Sequence, residues 1–380
     1  MATPQRVPVT LPDDKVPTKA MVRDIVGAFL RREWPGVDAE TLSMSYRASF
    51  ANAHCPVQRP APAPGNPAVE PLKVFIKFHR PAAADFKAFE HLAPSRGEEA
   101  LLCRAFGRTG LGARVYGFFQ TADGTLGRVD EFLEARCLEP ADVEEARVRA
   151  DVARALATFH AMRAPLEDKK APQAYHEAVT AALERYRGKD RLKALGREAG
   201  VSVDALVDYD FGTRLAKAVE RLTSMGAKTG WCIHDVQFMN VLVRERPREG
   251  ESTVALVDFE FVMRNYRGLD IGGHFMQKLF TWFGDRSRIA SCRPYSEPEK
   301  LDFCAAYAAR WNGLTGDADT PDRVLREAEC GYLLAVAFDI HNMLCFMSEQ
   351  GEGDPLDLEG LNKLFDEFVH QYARLGFEDA

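Results

Sequence analysis

The spacing of apolar residues changes once along this chain, near residue 140, and that change limits the folds open to it. From about Thr41 to Phe132 the apolar residues come in short runs: Lys73-Val-Phe-Ile-Lys77, Arg114-Val-Tyr-Gly-Phe-Phe119 and Arg128-Val-Asp-Glu-Phe-Leu133. Runs of this length, rich in Val, Phe and Tyr and separated by turn residues, predict strands. After Asp142 the period is helical. Val148, Val152, Leu156 and Phe159 share one face, and long helical patterns return at 174–188, 204–225, 320–348 and 358–374. Two further apolar runs, Val241-Leu-Val243 and Val254-Ala-Leu-Val257, flank the charged turn Arg244 to Ser252 and predict a strand pair within the helices. At 380 residues the chain is too long for one compact core. The expectation is an α+β, bilobal architecture, with a small sheet-based N-lobe over 1–132 and a larger helical C-lobe over 133–380.

Thr18 is placed to cap a helix carrying Met21, Ile25, Phe29 and Leu30, which Trp34-Pro35 would end. A second helix, about Gly97 to Arg108, sits among the strands. Cys55 to Pro71 contains six prolines, which cannot donate ladder hydrogen bonds, so the segment predicts a solvated excursion between strands. The formal net charge of −7 argues against nucleic-acid or anionic-membrane partners. No stretch approaches 18 consecutive apolar residues, so stable membrane insertion is not expected. The eight cysteines contain no CxxC pair, which gives no zinc or redox motif. A reduced, soluble, cytoplasmic protein is the expectation.

The chemistry concentrates in Trp231 to Phe275. Asp235 is followed five positions later by Asn240, and an apolar strand ends in Asp258-Phe259-Glu260. Phosphoryl transfer needs a carboxylate to take the proton of an attacking hydroxyl, and oxygen ligands for magnesium on the phosphates. An Asp and an Asn on one loop, with a second Asp at a strand end, match the spacing of a kinase catalytic loop and metal-binding Asp. By themselves these residues read equally well as turn formers and a strand-end cap.

Four longer segments go further. Asn265-Tyr-Arg-Gly-Leu-Asp270-Ile-Gly-Gly-His274-Phe275 resembles the NYRGFDIxNHF stretch of choline and ethanolamine kinases. Leu111 to Phe118 resembles the LGPKLYG segment of that family, Asp130 to Arg136 its EQFIPSR segment, and Ala157 to Met162 its ATFHGM helix. They occur in family order across roughly residues 40 to 370. The resemblance implies a protein-kinase-like fold that uses ATP and Mg2+. It implies Asp235 as catalytic base with Gln237 beside it, and Asn240 and Asp258 as magnesium ligands. It further implies Lys77 on the ATP phosphates with Glu99 as its ion-pair partner, Asn52 in the nucleotide loop, and backbone groups from Glu131 to Leu133 against adenine.

The chain departs from the family pattern at four places. Ile233 stands two before Asp235, where the family has His. The nucleotide loop, usually GGLSN, reads Ala48-Ser-Phe-Ala-Asn52, without the glycines that let amides approach phosphate. The family's acidic side chain near the substrate amine becomes Gln277, while Trp282 supplies one aromatic wall. In the late helix, His341 and Leu344 fall where the family has two tryptophans. Each lost aromatic face removes about 0.5–2 kcal/mol of cation–π attraction for a quaternary ammonium.

The expected activity is therefore phosphorylation of a small amino alcohol, the first step of phospholipid head-group synthesis. Ethanolamine is preferred over choline, because Gln277, Asp339 and His341 offer hydrogen-bond acceptors. The alternatives are a kinase for another small hydroxylated metabolite and a pseudokinase binding module. The family resemblance also leaves room for a homodimer.

Overall fold

Strands and helices segregate along the chain much as the change of period predicts. The computed structural model describes residues 2–48, 52–62, 65, 67–80, 91–164, 166–169, 171–186, 188–280, 292–350 and 355–377. Its first third holds strands β1 (Gln5–Arg6), β2 (Ser43–Met44), β3 (Arg47–Ala48), β4 (Asn52–Gln58), β5 (Lys73–His79), β6 (Val115–Gln120) and β7 (Leu126–Glu131). They form one seven-stranded sheet in the order β1-β6-β7-β5-β4-β2, with β3 also on β4. Only the β1–β6 pair is parallel. Helix α1 (Lys19–Gly27), with Thr18 accepting from the Met21 amide as its cap, lies on one face of the sheet, and α2 (Arg96–Gly107) on the other.

Strand alternation divides the two faces. Val74, Ile76, Phe78, Cys55, Val57 and Val129 join Val22, Ile25 and Trp34 in an apolar core. The intervening Lys77, His79, Arg128 and Asp130 are turned the other way, where α2 lies. The registers His54↔Lys77, Lys77↔Arg128 and Asn52↔His79 place these polar residues side by side.

The proline-rich segment is not a loop from its start, because β4 continues through Cys55 to Gln58. Pro56 is tolerated there because its carbonyl faces Ser45 at the sheet edge, accepting that amide at 3.3 Å. Its missing N–H would point the same way, to the short edge strands, so the β5 side of the ladder loses nothing.

Beyond β8 (Ala135–Cys137) the chain is mostly helical: α3 (Ala146–His160), α4 (Ala171–Tyr186), α5 (Lys189–Ala199), α6 (Asp204–Asp208) and α7 (Phe211–Ser224), then α8 (Gly268–Gln277), α9 (Glu297–Thr315), α10 (Pro321–Gln350) and α11 (Pro355–Arg374). The pattern read as one helix over 204–225 is split into α6 and α7. Tyr209 is extended, and Asp210 caps the new start by accepting from the Thr213 amide. Between α7 and α8 lie β9 (Thr229–Cys232), β10 (Val241–Arg244), β11 (Val254–Leu256) and β12 (Met263–Tyr266). β10 joins β11 and β8 in a three-stranded sheet, and β9 pairs with β12.

α10 is long and apolar enough to cross a membrane by length and composition, yet most of it is buried inside the protein. It packs on α8, α9, α11, α4 and α7 as the central helix. Its approach to α8 is backbone on backbone: a Cβ on Gly331 would lie 2.2 Å from the carbonyl carbon of Gly268.

Candidate active site

The polar face of the large sheet is organised around one buried carboxylate. Glu99 is fully buried on α2 and is met by three cations: Lys77 at 3.4 Å, Arg96 at 2.9 Å and Arg128 at 3.1 Å. Burial works to raise its pKa, but Lys77, His79, Arg128 and Arg96 outweigh it and hold the group well below the ordinary carboxyl range. Lys77 also reaches across to Asp258, with Nζ 2.7 Å from Oδ1. Burial disfavours its charge, yet Asp258 and Glu99 keep it firmly protonated. Arg96 continues the network to Glu260 at 3.2 Å, and Asn52 donates to Glu260 at 3.2 Å while its Oδ1 meets His79 at 3.0 Å. The rest of the nucleotide loop, residues 49–51, lies outside the described residues.

Opposite this face runs the loop 233–240. Its backbone is fixed by Asp270, a fully buried carboxylate in the first turn of α8. Oδ2 accepts the Ile233 amide at 2.6 Å and meets His160 Nε2 at 3.0 Å, and Oδ1 accepts the His234 amide at 2.9 Å. His160, at the end of α3, can approach because β9 carries Gly230 there; a Cβ at 230 would lie 2.7 Å from the His160 carbonyl oxygen. His234 holds φ +66°, a conformation costly for a side chain with a Cβ. Its ring is locked between the Cys232 carbonyl and Asn265, and it stacks near Tyr175 at 4.7 Å. Ile233 is buried in the apolar core instead.

The loop ends by presenting Asp235, Gln237 and Asn240 together. Asn240 Nδ2 donates to both the carbonyl oxygen and Oδ2 of Asp235, each at 3.0 Å, and Gln237 lies beside that carboxylate. Asp235 Oδ1 is buried with no partner, as is Gln237 Oε1. Burial, and then the charge of Asp258, push the Asp235 carboxyl up to about 7. Asp258 itself has φ +66°. It is held there by Phe259, whose ring packs between Phe106 of α2 at 5.5 Å and Phe159 of α3 at 4.6 Å.

These residues supply a set of hard oxygen donors. The amide of Asn240 must turn its NH2 toward Asp235, where both partners are acceptors, and this leaves its carbonyl oxygen for a cation. With Asp258 and the orphaned oxygen of Asp235, the donors suit magnesium.

Glu131 closes β7, exchanging hydrogen bonds with Arg114, and Leu133 lies half-buried in the connection 132–134 that leads to β8. In the helical region, Gln277 ends α8 and donates to Asp339 of α10 at 2.6 Å. His341 and Leu344 are not brought to that pair. A helix turns 100° per residue, so His341 lies about 200° around α10 from Asp339. It is buried against Asn342 and Cys345, and Leu344 belongs to the helical core. Trp282 lies outside the described residues.

Sequence reasoning assigned no role to Asp270, His160, Arg96, Arg128 or Glu260. Asp270 had a signal of its own, as an acid within a ten-residue helix that is otherwise almost free of charge. His160 lies in the matched segment Ala157 to Met162, while Arg128 is not readable without the register Lys77↔Arg128.

Comparison with known proteins bears on the fold and the family. The solved choline kinase of Cryptosporidium parvum superposes with a TM-score of 0.62 at 13% identity, covering 94% of this chain and 96% of that one. The ethanolamine kinase of Plasmodium vivax gives 0.57 at 16% identity, over 92% and 86%. At such identities the likeness shows the fold, which is protein-kinase-like. In sequence, choline kinase alpha of Mus musculus is 26% identical over 214 residues, 55% of this chain and 45% of that protein. A probable ethanolamine kinase of Arabidopsis thaliana is 27% identical over 181 residues, 48% of this chain and 44% of that protein. The chain thus spans about half the length of the curated relatives it matches. The choline/ethanolamine kinase family itself matches residues 64–348, three quarters of the sequence, and the chain belongs to that family.

Proposed function

We propose that this protein is a kinase that moves the γ-phosphoryl group of ATP to the hydroxyl of a small amino alcohol, with ethanolamine preferred over choline. The observation that carries the reading is the convergence of Asp235 and Asn240, on one loop, with the Lys77–Glu99–Asp258 network facing it. Family membership supports the reaction class.

In this reading Asp235 orients the substrate hydroxyl and takes its proton as the oxygen attacks phosphorus. Asn240 holds the carboxylate in place through its amide, with Gln237 beside it. Lys77, kept charged and steered by Glu99, grips phosphate oxygens of the nucleotide. Residues from Glu131 to Leu133 offer backbone groups to adenine. Asn240 and Asp258 are the residues to hold magnesium, which when bound neutralises charge on the transferring phosphates. Positioning and charge stabilisation supply the catalysis, since little covalent chemistry falls to the protein.

The test is phosphoryl transfer from Mg-ATP to a panel of ethanolamine, methylated ethanolamines, choline and unrelated amino alcohols. Ethanolamine-dependent ADP and phosphomonoester formation, absent in Asp235→Asn, is expected. ATP binding without turnover of any amino alcohol would refute the proposal and favour a binding module or another hydroxylated substrate.

A further inference from the structure

We infer that Asp339, held by Gln277, receives the substrate's amine and that the site therefore selects a protonated amine with N–H donors over a quaternary ammonium. The inference rests on the amino-alcohol reading above and assigns a specificity-determining residue within it.

Asp339 is 5% exposed and Gln277 3% exposed. The amide of Gln277 on Oδ2 is the hydrogen bond seen on this carboxylate among the described residues, and no cation pairs with it there. Several other buried acids differ in this. Of the other buried acids, Glu99 has Lys77, Arg96 and Arg128, Asp130 has Arg128, and Asp151 has Arg154. Asp270 has His160, and Glu327 has Arg267. A buried carboxylate without a counter-charge is costly to the folded chain, and such groups cluster where a ligand brings the missing charge.

Its position fits a ligand cation. Gln277 ends the same α8 whose first turn carries Asp270 and so anchors the Asp235 loop. Asp235 is close enough for its charge to act on Asp339, and this, after burial, lifts the Asp339 carboxyl well above the ordinary range. An arriving ammonium would reverse that cost. Aromatic rings neighbour both acids in sequence: His234 precedes Asp235 and Phe338 precedes Asp339, and Tyr175 lies 4.7 Å from the first ring and 6.2 Å from the second.

A primary ammonium offers three N–H donors, and a carboxylate with one oxygen uncommitted can accept them at close range. A trimethylammonium has no donor and a larger radius, so it gains mainly from ring faces. Gln277 then serves as a positioning residue, fixing the carboxylate by its Oδ2.

The experiment uses the full chain as wild type, Asp339→Asn, Asp339→Glu and the double variant Asp339→Asn/Gln277→Glu. Binding of ethanolamine and of choline is measured by calorimetry, and Mg-ATP turnover in parallel. Asp339→Asn should weaken ethanolamine binding about 30- to 1,000-fold, the range seen when one partner of a buried charge pair is removed, and choline binding about threefold at most. The loss should appear in KM more than in kcat. The double variant, which returns the carboxylate to the other end of the same hydrogen bond, should recover at least about tenfold of the ethanolamine affinity. Asp339→Glu, which keeps the charge, should retain the preference and covers the case in which Asp339→Asn fails to fold. Equal losses on both amines, unchanged ethanolamine binding in Asp339→Asn, or a wild type that binds neither amine would overturn the inference. Amine binding through Asp339 without phosphoryl transfer would sustain it and sink the kinase reading; transfer indifferent to residue 339 would do the reverse.

Discussion

Replacing Asp270 by Asn changes one oxygen to an NH2 group in a fully buried hydrogen-bond cluster. The carboxylate takes three donors with two oxygens: the Ile233 amide and His160 Nε2 on Oδ2, and the His234 amide on Oδ1. Burial alone would raise its pKa, but the His160 bond and the nearby histidines win, and the group is held below the ordinary carboxyl range. An amide oxygen in the Oδ2 place keeps two donors and sets its NH2 against the His234 N–H; the opposite flip keeps only one. The better arrangement still loses a charge-assisted bond, worth about 1.5–3 kcal/mol, and leaves a buried N–H unpaired at about 1–3 kcal/mol. A loss of about 3–5 kcal/mol is expected, a large part of a typical domain's stability. The His234 amide is also what holds that residue at φ +66°. Freed of it, the backbone can relax by a local strain of about 1–3 kcal/mol and carry Asp235 out of line. Turnover should fall about 10- to 100-fold with little change in ATP affinity. Urea unfolding at pH 7 reads the first effect and steady-state kinetics the second. A variant within about 0.5 kcal/mol of wild type, the range of an ordinary surface substitution, and with unchanged turnover would refute the anchoring role.

Other perturbations separate the site from its scaffold. Asp235→Asn removes a buried carboxylate that Asp258 already disfavours, so turnover should vanish while the urea midpoint holds or rises; a lower midpoint would contradict the charge argument. Gly331→Ala puts a Cβ 2.2 Å from the Gly268 carbonyl carbon, forcing α10 from α8, and should cost about 3 kcal/mol or more, read as a lowered melting temperature. His274 is buried, which depresses its pKa from 6.5 to about 3, so its share of stability is full above pH 6.5 and is lost as pH falls toward 3. At pH 4.5 that loss is about 2–3 kcal/mol, and His274→Gln should narrow the melting-temperature gap between pH 7 and pH 4.5; an unchanged gap would place the acid lability elsewhere.

Much of the segregation of strands from helices was legible because it rests on hydrophobic period, a local property. Lys73 to Lys77 and Val148 to Phe159 each bury one side, and the side is written in the spacing. The helices missed, α5, α8 and α9, are ones the period describes poorly; α8 is buried on every side and so has no polar face to set against an apolar one. α5 is dominated by Lys, Arg and other polar residues; α9 does bury Phe303, Cys304, Tyr307, Ala308 and Trp311 on one face, but the exposed Ala305, Ala309 and Leu314 blur that stripe in the sequence. The candidate site divides the same way. Asp235, Asn240 and Asp258 were readable because a loop and a strand end fix their spacing. The network behind Lys77 was not, because Arg128 reaches Glu99 only through the register Lys77↔Arg128, which no local pattern encodes. The amine end illustrates the limit most clearly. Matching residues in line pointed to Asp339, His341 and Leu344 alike, but α10 turns 100° with each residue, so a two-residue difference sets His341 on the far side of the helix from Asp339. The residue that meets Gln277 is Asp339, one whose role depends on the angle at which α10 crosses α8, and that angle is set by Gly268, Gly272 and Gly331. Three residues without side chains thus determine which face of α10 the site sees, and with it the acid that stands beside Gln277.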